Sequence, residues 1–275
     1  MADQIVSTWR DLNDLLYDGS WNRDLGRFRS DFVFRGVANK DWGLQTSLMR
    51  LGGDYAGMEG PMLRHFRKYA YRHSGIGESA WNWLAVAQHH GLPTRLLDWT
   101  YSPFVAAHFA TENLEQMNTE AAIWCVNTKA VAKLLPQEFQ VALYRERARA
   151  FTADMLDRLA RDLSAFDALS GKEGPFVLFF DPPSLDDRVV NQHALFSVAS
   201  DPTLALDAWL RDRTDLFRRV IIPASLKWEV RDKLDQANIS ERMLFPGLDG
   251  LAKYLKRHYS PGPAGNEVAK TTSAE

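Results

Sequence analysis

Cysteine is almost missing from this chain: Cys125 stands alone among 275 residues. One thiol builds neither an intrachain disulfide nor a cysteine-rich zinc site, so a reducing cytoplasm is the expected location. No apolar run approaches the roughly 18 residues of a membrane-spanning helix. The stretch from Met1 to Arg10 carries Asp3 and lacks the basic start and apolar core of a signal peptide. An excess of charge is missing as well. Lys and Arg number 33 against 35 Asp and Glu, for a net charge of -2, and the pI is near 6.4. Such a balance gives no global attraction to nucleic acid or anionic membrane, though it leaves room for a local basic patch.

Several chemical signatures are absent too. The chain has no Gly-x-Gly-x-x-Gly, no Gly-Lys-Ser/Thr phosphate loop and no Gly-x-Ser-x-Gly, which removes the usual marks of dehydrogenases, nucleoside triphosphatases and serine hydrolases. His89, His90 and His108 are close in sequence, but adjacent histidines cannot share one helix face and no His-Glu-x-x-His spacing exists, so no metal is expected.

What is present is the makeup of a globular protein, 45% hydrophobic and 25% charged. A helix is expected from Ser7 to Leu16 with Ser7 as N-cap, and a strand at Phe32 to Val37 ending near Gly36. Arg35 interrupts that strand's apolar run, so it needs a structural carboxylate or a ligand anion. Pro61 to His73 reads as a helix opened by proline; its basic face could guide a phosphate-bearing ligand, although a solvated face is the more ordinary meaning. Trp42 reads as a core or lid residue.

The densest polar stretch follows. Ala80 to His89 is an apolar helix, which Pro93 is expected to end. Thr94 to Thr100 reads as a strand, and Ser102-Pro103 caps a helix through Ala110. Ala121 to Asn127 and Phe176 to Phe180 read as strands, Lys129 to Leu169 as mainly helical. Arg188 to Val198 reads as a polar strand or a turn leading into one. Leu204 to Leu210 (helix), Phe217 to Pro223 (strand), Ser225 to Gln236 (helix) and Leu248 to Tyr259 (helix) complete the order. The mixed-charge run Tyr144 to Arg149 is ordinarily a solvated face.

Arg35, Gln88, His89, Arg95, Asp98, Arg188 and Gln192 are thus charged and amide groups on separate apolar segments. They could together recognise an anionic, hydrogen-bond-rich small molecule. The plainer alternative is a buried polar network with Asp98 satisfying Arg35 or Arg95.

Phe34-Arg35-Gly36, the run Gln88 to Thr100 with Ser102-Pro103, Arg188 with Gln192, and Leu244 to Ala252 resemble the FRG domain family, named for its Phe-Arg-Gly motif. The resemblance runs from about Asp31 to Tyr259. It implies an FRG domain over 31–259, preceded by the helical lead-in over 1–30; the tail over 260–275, Pro-, Gly-, Thr- and Ser-containing and almost without large apolar residues, is expected to be disordered. The strand ending Phe-Arg-Gly and the strand ending Asp-Trp-Thr before an Ala-rich helix are also similar to motifs of mono-ADP-ribosyltransferases. That likeness implies an α+β fold, a single domain with a central, mostly antiparallel split sheet surrounded by helices.

It further implies an NAD-dependent ADP-ribosyltransferase or NAD-consuming enzyme, of toxin or phage-defence type. Arg35 and His89 would then position NAD, with Asp98 as electrostatic or general-base carboxylate and Gln192 at the ribose. Gly36, Gln88, Thr94, Arg95, Thr100 and Arg188 would line the substrate site. Those enzymes use a glutamate where this chain has Gln192, and an amide cannot supply that charge. The alternatives are a module that binds a nucleotide-like ligand without cleaving it, and a protein-interaction domain. An acceptor macromolecule is not named by the sequence.

Overall fold

The computed structural model describes residues 3–74, 77–171, 174–184 and 186–262. Ten strands occur among them: β1 (Gln4–Ile5), β2 (Trp21–Asn22), β3 (Arg27–Phe28), β4 (Phe32–Val37), β5 (Leu97–Thr100), β6 (Ala121–Asn127), β7 (Phe151–Thr152), β8 (Val177–Asp181), β9 (Ala194–Ala199) and β10 (Phe217–Ile222). Eight form one sheet in the order β1-β10-β6-β4-β5-β9-β8-β7, while β2 and β3 make a separate ribbon. Only the edge pairs β1/β10 and β7/β8 are parallel. The chain is therefore a mixed α+β fold around a large, mostly antiparallel sheet.

The two-residue period of the strands sorts the core. One face carries Val33, Val37, Leu97, Trp99, Trp124, Phe179, Leu195 and Ile221 in a single cluster running along the sheet. The other face is divided. Phe34, Ile123, Cys125, Val220 and Ile222 pack beneath α1 (Trp9–Tyr17) and the Ala224–Gln236 helix. Leu178, Phe180, Phe196 and Val198 pack instead with Trp81, Trp83 and Phe166. The boundary between these clusters falls at β4/β5, which pair only at Phe34 and Thr100. Their outer partners are longer ladders: β4 meets β6 over Phe32 to Val37, and β5 meets β9 over Leu97 to Thr100. The sheet is thus one continuous body that narrows to a single residue pair at its middle.

Several local expectations are corrected. The cap of α1 is Thr8, not Ser7: Thr8 Oγ1 accepts from Asp11 N, and the Asp11 carboxylate accepts from both Ser7 N and Thr8 N. Helix α2 spans Tyr55–Ser74 with Pro61 inside it, because Asp54 Oδ1 already accepts from Gly57 N at its start. Helix α3 (Ala80–His89) is capped by Ser79, and it is Gly91, at φ +80°, that ends it before Pro93 is reached. Leu92 N then donates to Ala87 O, a closure glycine permits because it has no Cβ. The strand expected from Thr94 begins only at Leu97. Of the two expectations for Arg188 to Val198, the turn leading into a strand holds: Asp186 caps a short helix over Asp187–Asn191 through Val189 N, and β9 follows from Ala194. The tail lies outside the described residues from position 263 on. No described helix is long and apolar enough to cross a membrane.

Candidate functional site

At the narrow point of the sheet a cavity of about 960 Å³ opens between the ends of β4 and β5. Its placement follows from a steric condition at the Phe-Arg-Gly sequence. Helix α4 (Pro103–Thr111) crosses β4 so closely that a Cβ on Gly36 would sit 1.9 Å from Ala106 O and 2.6 Å from Ala110 N. With no side chain there, the Ala-rich face of α4 lies on the strand. Its last turn brings Phe109, Glu112 and Asn113 into the cavity wall.

Arg35 lines the same cavity. Past Phe34 the two strands diverge, and Arg35 Nη1 crosses the gap to donate to Asp98 O at 2.5 Å. The same nitrogen is 3.8 Å from Asp98 Oδ2. The Arg35 side chain is 22% exposed against 58% for Asp98, and Arg35 Nε is buried without a partner. Burial pulls the pKa of this guanidinium down, the charge of Asp98 opposes that, and nearby Arg50 adds to the downward pull. It remains a cation at neutral pH. Its guanidinium is thus a half-buried cation in the cavity wall, paired on one side with Asp98.

Of the residues singled out in the sequence, the cavity brings together Arg35, Gly36, Asp98, Thr100, Arg188 and Gln192. Gln192 is held from two directions. Its Nε2 donates to Leu244 O at 2.9 Å, and its backbone carbonyl oxygen accepts from Thr100 Oγ1 at 2.6 Å. Arg188 lies with its guanidinium 4.9 Å from the Phe245 ring centroid. The Leu244-Phe245 segment is thus a strut for the 187–192 corner, which Asn191 also grips through Met243 O.

The other residues are placed elsewhere. Gln88 stands behind the site, its Nε2 donating to Asp98 Oδ2 at 3.0 Å and its Oε1 accepting from Thr94 Oγ1 at 2.6 Å. Thr94 is buried and braces Ser47 and Leu48. Arg95 faces away: its Nε donates to Glu59 Oε2 at 2.6 Å, its backbone N to Glu59 Oε1 at 3.0 Å, and its other nitrogens to Asp167. At 4% exposure its donors are consumed by this pair of carboxylates. His89 is outside the cavity wall and reaches Asp186 Oδ2 with Nε2 at 2.9 Å.

Sequence reading missed Arg50, Asp207 and Glu112, which share the wall. Asp207 Oδ1 accepts from Leu44 N and its carboxylate abuts Gly43. Glu112 follows the last turn of α4, where a negative charge is unfavourable against the helix dipole. That misplacement was the available signal. Its carboxylate has another partner, His108, which is fully buried with Nε2 3.3 Å from Glu112 Oε2 and Nδ1 2.9 Å from Arg231 Nη1. A guanidinium can only donate, so Nδ1 accepts and a neutral ring carries its proton on Nε2, facing Glu112. Burial lowers the His108 pKa, which fits the neutral form. Trp42, 47% exposed, forms part of the rim rather than the core. No group of three or more candidate metal ligands occurs among the described residues.

Residues 30–119 match the family model of the FRG domain. The matched stretch holds β4, β5 and α4, and so both Arg35 and Asp98. No curated protein and no solved structure matches the chain.

Proposed function

We propose that the cavity between β4 and β5 takes NAD and that the protein is an ADP-ribosyltransferase-like or NAD-consuming enzyme. The supporting observation is the gap itself: two antiparallel strands part after one residue pair, and a half-buried arginine with an unpartnered Nε faces an exposed carboxylate across it. A narrowing of this kind is where a split-sheet cleft of the ADP-ribosyltransferase type would open. Arg35, with Arg50 and Arg188 also lining the cavity, would meet the pyrophosphate, because guanidinium forks match phosphate oxygens. Asp98 would face the nicotinamide ribose. As the glycosidic bond lengthens, positive charge develops on the ribose ring, and a fixed carboxylate in a partly dry cleft stabilises it. Gln88 Nε2 keeps Asp98 from turning away.

A second reading has its own observation. Gln192 is neutral and already gives an N–H to Leu244 O, so it orients a hydroxyl but adds no charge. This favours a module that binds a nucleotide without cleaving it. Incubation with NAD labelled on nicotinamide separates the two. Release by the native protein, reduced about a hundredfold or more in a folded Asp98→Asn variant, is expected for the enzyme. NAD binding without release supports the module, and absence of both removes the proposal.

A further inference from the structure

A second hollow, of about 560 Å³, lies away from the cavity, where the end of the Gln137–Glu146 helix meets the β2–β3 ribbon and the start of β4. In a chain whose cationic and anionic residues nearly balance, its lining holds Lys129, Arg145, Arg147 and Arg149 against one carboxylate, Asp31. All four cations are exposed. Asp31 is engaged by Arg149 Nη1 at 3.4 Å and Lys129 at 4.0 Å. Arg145 and Arg147 pair with no carboxylate among the described residues, so four cations share a single counter-charge.

Two further features set this hollow apart from an ordinary solvated face. Tyr144, 84% exposed, lines it with a free ring face. Arg147 holds the left-handed conformation at φ 51° as the cap of the 137–146 helix. Glycine is the residue that fits there without strain, so an arginine at this position favours something other than helix termination. Across the ribbon, Asn22 lines the hollow and pairs in register with Arg27, placing another cation on the same ribbon face.

We propose that this hollow binds the phosphate backbone of a single-stranded nucleic acid, with Arg145 and Arg147 on phosphates and Tyr144 stacking on a base. Guanidinium forks take phosphate oxygens in pairs. An aromatic ring beside a cationic groove is the sequence-tolerant means of holding an unpaired base. The site is independent of the NAD reading, since it shares no residue with the cavity.

The test is fluorescence anisotropy of the full chain with labelled oligo-uridine RNA and oligo-thymidine DNA. Binding is expected at about 50 mM salt, falling with a log–log slope of about -2 to -3, as neutralising three or four phosphates gives for single strands. Arg145→Glu with Arg147→Glu should cut affinity at least about tenfold and flatten the slope by about 1.4, while the Arg145→Lys, Arg147→Lys pair keeps most of it. Tyr144→Ala should weaken binding at unchanged slope. Arg147→Gly should raise the melting temperature yet weaken binding, a pairing that a purely structural arginine would not produce. No binding of either oligonucleotide at low salt overturns the proposal, as does binding that survives the double charge reversal. Capture of phosphatidylserine vesicles without oligonucleotide binding also overturns it, in favour of a lipid-headgroup site.

Discussion

Replacing Gly36 with alanine tests the steric account of the cavity. The added Cβ would lie 1.9 Å from Ala106 O, whereas ordinary contact begins near 3.4 Å, so α4 and β4 must part by about 1.5 Å. The obstacle is helix backbone rather than the end of a flexible side chain, so rotamer change gives no relief. Overpacking of this kind costs about 1–3 kcal/mol, and the backbone contact puts Gly36→Ala at the upper end. At roughly 2–4 °C per kcal/mol for a chain of this size, the melting temperature should fall by about 6–12 °C. Circular dichroism melts measure it. A Gly36→Ala protein that melts within about 2 °C of the native one, below the range expected for overpacking, would refute the close packing of α4 on β4, and with it the reason Phe109 and Glu112 reach the cavity.

Arg95→Ala should cost about 3–5 kcal/mol in urea unfolding, because it strands the buried Glu59 carboxylate; a loss below about 1 kcal/mol would show that Glu59 is satisfied in some other way. Lys227 is fully buried with Nζ 2.7 Å from Ala38 O and 2.7 Å from Gln116 O, and burial holds its pKa down at about 8 against 10.5 in the open chain. The unfolded chain therefore binds the extra proton between these values, and stability should rise with pH from about 8 to 10.5, the penalty being complete below 8. The rise, on the order of 3 kcal/mol at most, should appear as the difference between native and Lys227→Met unfolding curves, and a flat or falling difference would contradict it.

How much of this was legible in the sequence follows from range. Strand β6 and strand β4 were legible as apolar runs with β-branched and aromatic members, and the Ser102 cap through its local hydrogen bond to the third residue on. An expectation failed where one local rule overrode another: Gly91 ended α3 before Pro93 could. The juxtaposition of Arg35, Asp98 and Gln192 could be suspected from the motif, but the fate of Arg95 could not. Its partners, Glu59 and Asp167, are 36 and 72 residues away, and nothing near Arg95 in sequence indicates that its donors are spent. The narrowing of the sheet at β4/β5 is likewise a property of register, which alternation of side chains alone does not fix.

Arg35 is proposed to meet the phosphates of NAD in the cavity. Calorimetric titration of NAD into the native chain and into Arg35→Met measures this most directly. A guanidinium–phosphate interaction worth about 1.5–3 kcal/mol predicts affinity lower by about ten- to a hundredfold in the variant, at a comparable melting temperature. Equal affinity in the two proteins, or no binding heat from the native one, would contradict the account.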